Sequence, residues 1–129
     1  MAEGFPATTG DIFTAADYNG LVAFTVGTAN TVDYTAVIAD AYQVLEVMNK
    51  ATAIAYKIPT NASVAFPIGT VLNILNIGVG TCTISAVTSG TTAILSAGAV
   101  PAQPTLAQYR SAACIKTGTD SWYVVGAIE

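Results

Sequence analysis

The scarcity of charged side chains constrains this chain more than any other feature of its sequence. Lys and Arg together number 4 and Asp and Glu number 8, which is 9% of the 129 residues, whereas soluble proteins average about 25%. No charged residue occurs between Lys57 and Arg110. A surface that is neutral over such an area associates readily with other protein. We therefore expect an obligate oligomer.

The composition also excludes several classes of protein. Hydrophobic residues make up 53% of the chain, enough to offset chain entropy, so one folded domain is expected. Polar residues interrupt every apolar run before it reaches the length of a membrane span. Glu3 stands where a secretory signal needs positive charge, which favours synthesis in the cytoplasm of the producing cell. A formal net charge of −4 opposes binding to nucleic acid.

Catalytic chemistry has few residues to draw on. The chain contains no histidine, so the commonest general base, the usual triads and most zinc sites are missing. Its acids are scattered, which leaves a small glycan hydrolase as the weakest alternative. We predict no enzyme, no cofactor and no metal site. Cys82 and Cys114 lie in apolar runs and are predicted to be buried free thiols.

Apolar residues recur with a period of two in short segments separated by turn residues. Ile54, Tyr56 and Ile58 alternate with Ala55 and Lys57, as in a half-buried strand. Segments 71–77, 81–87 and 91–95 have similar patterns, and segments 106–116 and 122–128 flank a five-residue connection that suits a hairpin. This spacing predicts an all-β fold, an antiparallel sandwich or barrel-like module over residues 36–129.

The first 35 residues are predicted to form an extended arm with one short helix. Thr14 and Asp17 have the spacing of a helix N-cap and its N3 partner, and Gly20 would end that helix. The arm has few neighbours that could bury its large apolar residues, so we expect it to dock on another subunit or partner. The alternative is an arm packed on its own domain. The predicted contact residues are Phe5, Pro6, Phe13 and Tyr18.

Three residues near the C-terminus are candidates for an oligomer interface. They are Tyr109, Trp122 and Val124. Alternation places Trp122 and Val124 on one face of a strand. Aromatic residues also serve as platforms for carbohydrates or nucleic-acid bases, but this apolar face favours packing in a core or between subunits.

Four segments together resemble a module found in many virion proteins of tailed bacteriophages. The first, residues 58–70, reads IPTNASVAFPIGT, and the second, residues 78–84, reads GVGTCTI. The others are QYRSAA at residues 108–113 and GTDSWYVVG at residues 118–126. The resemblance covers roughly residues 35 to 129 and implies a β-rich module without catalytic residues.

Modules of this kind are similar to parts of tail fibres, baseplate proteins and capsid decoration proteins, and are often trimeric. A tail fibre usually needs a longer chain with shaft repeats, so a single module with an arm favours the capsid. The resemblance, taken together with this length, leads us to expect a capsid decoration (cement) protein, a homotrimer on the virion surface that binds the major capsid protein. The alternative is a small tail-fibre or receptor-binding tail protein.

Overall fold

The computed structural model describes residue 15 and residues 23–129. In that part of the chain the regular structure consists of ten strands and one short 3-10 helix, Ile38–Ala41. The strands are β1 (Thr25–Val26), β2 (Tyr34–Thr35), β3 (Val44–Met48), β4 (Ile54–Ile58), β5 (Val71–Asn76), β6 (Cys82–Ala86), β7 (Ala93–Ser96), β8 (Thr105–Leu106), β9 (Arg110–Gly118) and β10 (Ser121–Gly126). No helix in the described residues is long and apolar enough to span a membrane. The prediction of an all-β fold is confirmed.

The strands form two mixed sheets. The six-stranded sheet has the order β1-β3-β5-β9-β10-β7, and the four-stranded sheet has the order β2-β4-β6-β8. From β1 to β6 the chain crosses to the other sheet after every strand and returns in the same direction, so its neighbours within each sheet are parallel. The prediction of antiparallel pairing is wrong for five of the eight strand pairings.

One hydrophobic core joins the inward side chains of both sheets. Tyr56 and Ile84 come from the four-stranded sheet, and Leu72 and Trp122 come from the six-stranded sheet. Trp122 meets Phe66 edge to face, with 5.5 Å between ring centroids, an arrangement that aromatic rings favour. The alternation predicted for residues 54–58 is confirmed by the burial of every second side chain.

The hairpin near the C-terminus is present but tighter than predicted. Strands β9 and β10 are antiparallel, and Gly118 already pairs with Ser121. The connection is therefore two residues rather than five, because Thr117 and Gly118 belong to β9 and Ser121 belongs to β10. Both cysteines are buried and free, as predicted.

The last part of the predicted arm contributes to both sheets. Strand β1 pairs with β3, and β2 pairs with β4. The amide of Thr25 donates to the carbonyl of Gln43 at 2.8 Å, and the amide of Asn30 donates to the carbonyl of Val47 at 2.8 Å. Residues 25–35 are thus joined to residues 36–129 by backbone hydrogen bonds. The helix predicted from Thr14 lies outside the described residues except for residue 15.

Candidate interaction surface

The outward side of the six-stranded sheet is the most unusual surface in the described part of the chain. Inward and outward side chains alternate along a strand, and the inward set of β5, β9, β10 and β7 fills the core. The outward set, which we call the apolar face, shares uncharged and mostly large apolar side chains. It includes Val26, Leu45, Val71, Leu75, Leu95, Ala113, Ile115, Tyr123 and Val125, with Asn73 and Ser111 as polar members.

Strand register gathers these side chains into rows. Val71 stands opposite Ile115, and Ile115 stands opposite Tyr123. Tyr123 in turn lies beside Leu95. One apolar row therefore crosses β5, β9, β10 and β7, with Tyr123 46% exposed to solvent. A second row contains Leu45, Asn73, Ala113 and Val125.

Val125 forms a ridge between two shallow grooves on the apolar face. A groove of about 280 Å³ is bordered by Phe24, Leu45 and Val125. A groove of about 440 Å³ is bordered by Leu95, Tyr123 and Val125. The Val125 side chain is 48% exposed. A ridge next to apolar grooves gives this face a shape that a complementary protein surface can pack against.

The outward side of the four-stranded sheet has the opposite character. One row there contains Thr35, Lys57 and Ser85, and Lys57 lies 3.9 Å from the carboxylate of Asp33. The next row contains Ala55, Thr83 and Thr105. Hydroxyl and charged groups suit contact with water. Of the two outward sides, that of the six-stranded sheet is therefore the one without charged side chains, since Glu46 and Lys116 of this sheet are buried.

The edges of both sheets offer little for strand addition. Edge strands β1, β2 and β8 have two residues each, and β7 has four. Short edge strands limit pairing with further chains through the backbone. Association through the apolar face is consequently favoured over association edge to edge.

The structure separates the residues that were predicted as interface positions. Tyr109 is 75% exposed and has a positive φ of 64°. Trp122 and Val124 are only 1% and 2% exposed, within the core of their own chain. Their side chains have almost no area to bury against a second subunit. The predicted contact residues of the arm, Phe5, Pro6, Phe13 and Tyr18, lie outside the described residues.

Sequence reasoning missed the residues on the other side of the same strand. Tyr123 and Val125 are the immediate neighbours of the predicted pair, and Ile115 and Val71 face them across the sheet. The available signal is that β10 is apolar on both sides, which is typical of a strand covered on both sides. Which side meets the second sheet of the same chain follows only from the topology.

Two buried acids form a separate polar cluster between β2, the 3-10 helix and β3. The Tyr34 hydroxyl donates to the Asp40 carboxylate at 2.7 Å, and the Val37 amide donates to the same oxygen at 3.0 Å. The Asn30 side-chain amide donates to the Glu46 carboxylate at 3.1 Å. Burial raises the pKa of Glu46, and a hydrogen bond with Asp40 raises it further. The hydrogen bonds of this cluster hold residues 30–40 against β3.

The pKa of Glu46 predicts that stability falls as this carboxyl ionises. A folded state that holds the proton more tightly than the unfolded state gains stability at low pH and loses it as pH rises through the raised pKa. We expect Glu46→Gln to raise the free energy of unfolding at pH 7.5, with a gain that shrinks as pH approaches the ordinary glutamate pKa of about 4.3. Urea denaturation across this pH range measures the difference.

Glu129→Gln is the matched control for Glu46→Gln. Glu129 forms an ion pair with Arg110 at 3.0 Å, with both side chains substantially exposed, and such pairs contribute little to stability. This variant should follow the wild type closely at each pH. A Glu46→Gln effect that stays constant from pH 4.5 to 7.5 would contradict the assignment.

The described residues include no cluster of three or more Cys, Asp or Glu side chains that could hold a metal ion. Comparison of the chain with known protein families, with curated proteins and with solved structures finds no match. The apolar face is therefore the feature on which a functional hypothesis rests.

Proposed function

We propose that the protein is a capsid decoration (cement) protein that stabilises an assembled phage head by binding its outer surface as a homotrimer. In this proposal the two sheets form a sandwich-like module, preceded by an arm with a short helix. The apolar face, uncharged over its full width, is the single observation that carries the proposal. The resemblance of residues 35 to 129 to phage virion modules supports the proposed location, the virion surface, with synthesis in the host cytoplasm.

A second copy of the chain is the partner that suits the apolar face. The face has no charged side chain that would attract a partner of opposite charge. The ridge at Val125 and the adjacent grooves allow a ridge of one copy to enter a groove of the next. A contact between two different patches closes into a ring when the rotation between copies permits, which is the geometry of a cyclic trimer.

Contact with the major capsid protein is assigned to the N-terminal arm. Phe5, Pro6, Phe13 and Tyr18 are the residues proposed to make it, and the hydrogen bonds of β1 and β2 would transmit that contact to the module. A protein that binds the assembled lattice and not its dissociated parts shifts the equilibrium toward assembly. No catalytic step, cofactor or nucleic acid is needed for this function.

Binding to emptied capsids tests the proposal directly. Wild-type protein mixed with capsids that lack it should bind at a fixed, symmetric copy number, visible by electron microscopy of the particles. A variant without residues 1–22 should remain an oligomer and lose this binding. The arm assignment fails if the shortened protein still binds at the same occupancy.

The same assay, run beside intact host cells, separates the alternatives. A small tail-fibre or receptor-binding protein would bind cells and leave capsids bare, and that outcome would contradict the decoration function. Turnover of a surface polysaccharide would point to an enzyme and would also contradict it. Saturable binding to capsids without binding to cells supports the proposal.

A further inference from the structure

Lys116 occupies an unusual position at the end of the core. Although it is a charged residue type, it is only 2% exposed. Its amine donates to the side-chain carbonyl of Asn61 at 2.6 Å and to the backbone carbonyl of Phe66 at 2.6 Å. It also lies 5.9 Å from the centre of the Trp122 ring. Lysine is rarely buried to this degree without a carboxylate partner.

The partners of this amine are neutral. In the described residues the ion pairs join Lys57 to Asp33 and Arg110 to Glu129, and none includes Lys116. Burial lowers the pKa of Lys116, and the more distant charge of Asp120 opposes this effect. A desolvated lysine amine is a stronger nucleophile because a larger fraction of it is unprotonated.

The side-chain amide of Asn61 is the electrophile within reach. Its carbonyl carbon is one bond of about 1.23 Å from the oxygen that Lys116 contacts, so the amine nitrogen lies within about 4 Å of that carbon. Atoms held this close react with a high effective concentration. Asn61 is itself half-buried, which leaves a route to solvent for a small leaving group.

A carboxyl group lies next to the same residue. Asp120 accepts a hydrogen bond from the backbone amide of Asn61 at 2.8 Å and another from the Thr92 hydroxyl at 3.2 Å. These two contacts hold the acid beside the amide and within the electrostatic range of Lys116. An amine, a carboxamide and a carboxyl group therefore meet at the junction of the two sheets.

We propose that Lys116 and Asn61 form an intramolecular isopeptide bond. The neutral amine of Lys116 attacks the side-chain carbonyl carbon of Asn61, and a carbon–nitrogen bond forms. The original carbon–nitrogen bond of the carboxamide breaks, and one amine proton passes to the departing nitrogen, which leaves as ammonia. The reaction needs no oxidant, reductant or cofactor. The Asp120 carboxylate, held beside the amide by its hydrogen bond with the Asn61 backbone, takes up this proton and returns it to the departing nitrogen.

The bond would link the two sheets covalently. Asn61 follows β4 of the four-stranded sheet, and Lys116 belongs to β9 of the six-stranded sheet. A covalent link between them closes a loop of 55 residues, which restricts the unfolded chain as a long-loop disulfide does. This inference is independent of the proposed function.

Mass spectrometry of the intact wild-type protein, purified and incubated for several days, tests the proposal. Its mass should be lower than the sequence mass by about 17 Da, the mass of ammonia released on nucleophilic attack. Trypsin should then leave residues 58–110 joined to residues 111–129, because a modified Lys116 is not cleaved. A wild-type mass equal to the sequence mass, with free peptides, would overturn the proposal.

Variants locate the bond and test the role of Asp120. Asn61→Ala and Lys116→Met should each retain the full sequence mass, whereas Asn73→Ala, the same change on the apolar face, should still lose ammonia. Asp120→Asn keeps a hydrogen-bond acceptor but removes the carboxylate that takes up and returns the proton, so cross-linking should slow by about 100-fold or more. An unchanged rate in Asp120→Asn would remove Asp120 from the reaction, and loss of ammonia in Lys116→Met would overturn the bond itself.

Discussion

Val125→Glu is expected to convert the oligomer into a folded monomer. Val125 is half-exposed in the single chain, so water can solvate a carboxylate there when the chain is alone. In the oligomer the same carboxylate would be buried without a partner, which costs about 3 kcal/mol or more. That cost corresponds to a hundredfold or greater rise in the dissociation constant. Sedimentation velocity over a concentration series measures the change, and circular dichroism reports the fold.

Thr83→Glu is the control for this change in charge. Thr83 lies on the outward side of the four-stranded sheet, among Ala55 and Thr105, and its replacement adds the same carboxylate to a polar surface. This variant should sediment like the wild type. If Val125→Glu and Thr83→Glu sediment as species of the same molar mass, the apolar face is not the interface between copies.

Trp122→Ala is expected to cause the largest loss of stability of any single change considered. The side chain is fully buried and packs against Phe66, and removing a buried aromatic residue costs about 3 to 5 kcal/mol. Urea denaturation should be performed with Val125→Glu as the common background. Stability measured in an oligomer would otherwise include the free energy of association.

Tyr123→Ala, the adjacent residue, is the control for Trp122→Ala. Tyr123 points to the opposite side of β10 and is 46% exposed, so its truncation in the monomeric background should cost less than about 1 kcal/mol. Comparable losses for the two variants would mean that the assignment of inward and outward sides of β10 is wrong.

Local sequence patterns located most strands but not their neighbours. Ile54, Tyr56 and Ile58 alternate because one side of β4 meets the core, and that signal is visible in the sequence. Whether β4 pairs with β6 in parallel depends on the chain returning through the other sheet. Gly80 is one residue in the sequence that this arrangement requires. A Cβ at this position would collide with the backbone carbonyl of Thr52 in the adjacent connection.

The sequence predicts that part of the surface is covered by other protein, but it does not show where that part lies. The lack of charge from residue 58 to residue 109 indicates covered surface, and the alternating pattern of β10 places Trp122 and Tyr123 on opposite sides. Both sides are apolar, so hydropathy alone cannot distinguish the side that meets the core from the side that forms the apolar face. Register across β5, β9 and β10 is what gathers Val71, Ile115 and Tyr123 into one row.

The molar mass of the native protein in dilute solution tests the central claim most directly. The account predicts a species of about three times the 13.1 kDa chain mass by sedimentation equilibrium, persisting as the protein is diluted to low micromolar concentration. A soluble species of one chain mass that persists at high concentration would contradict the claim that the apolar face is covered by another copy.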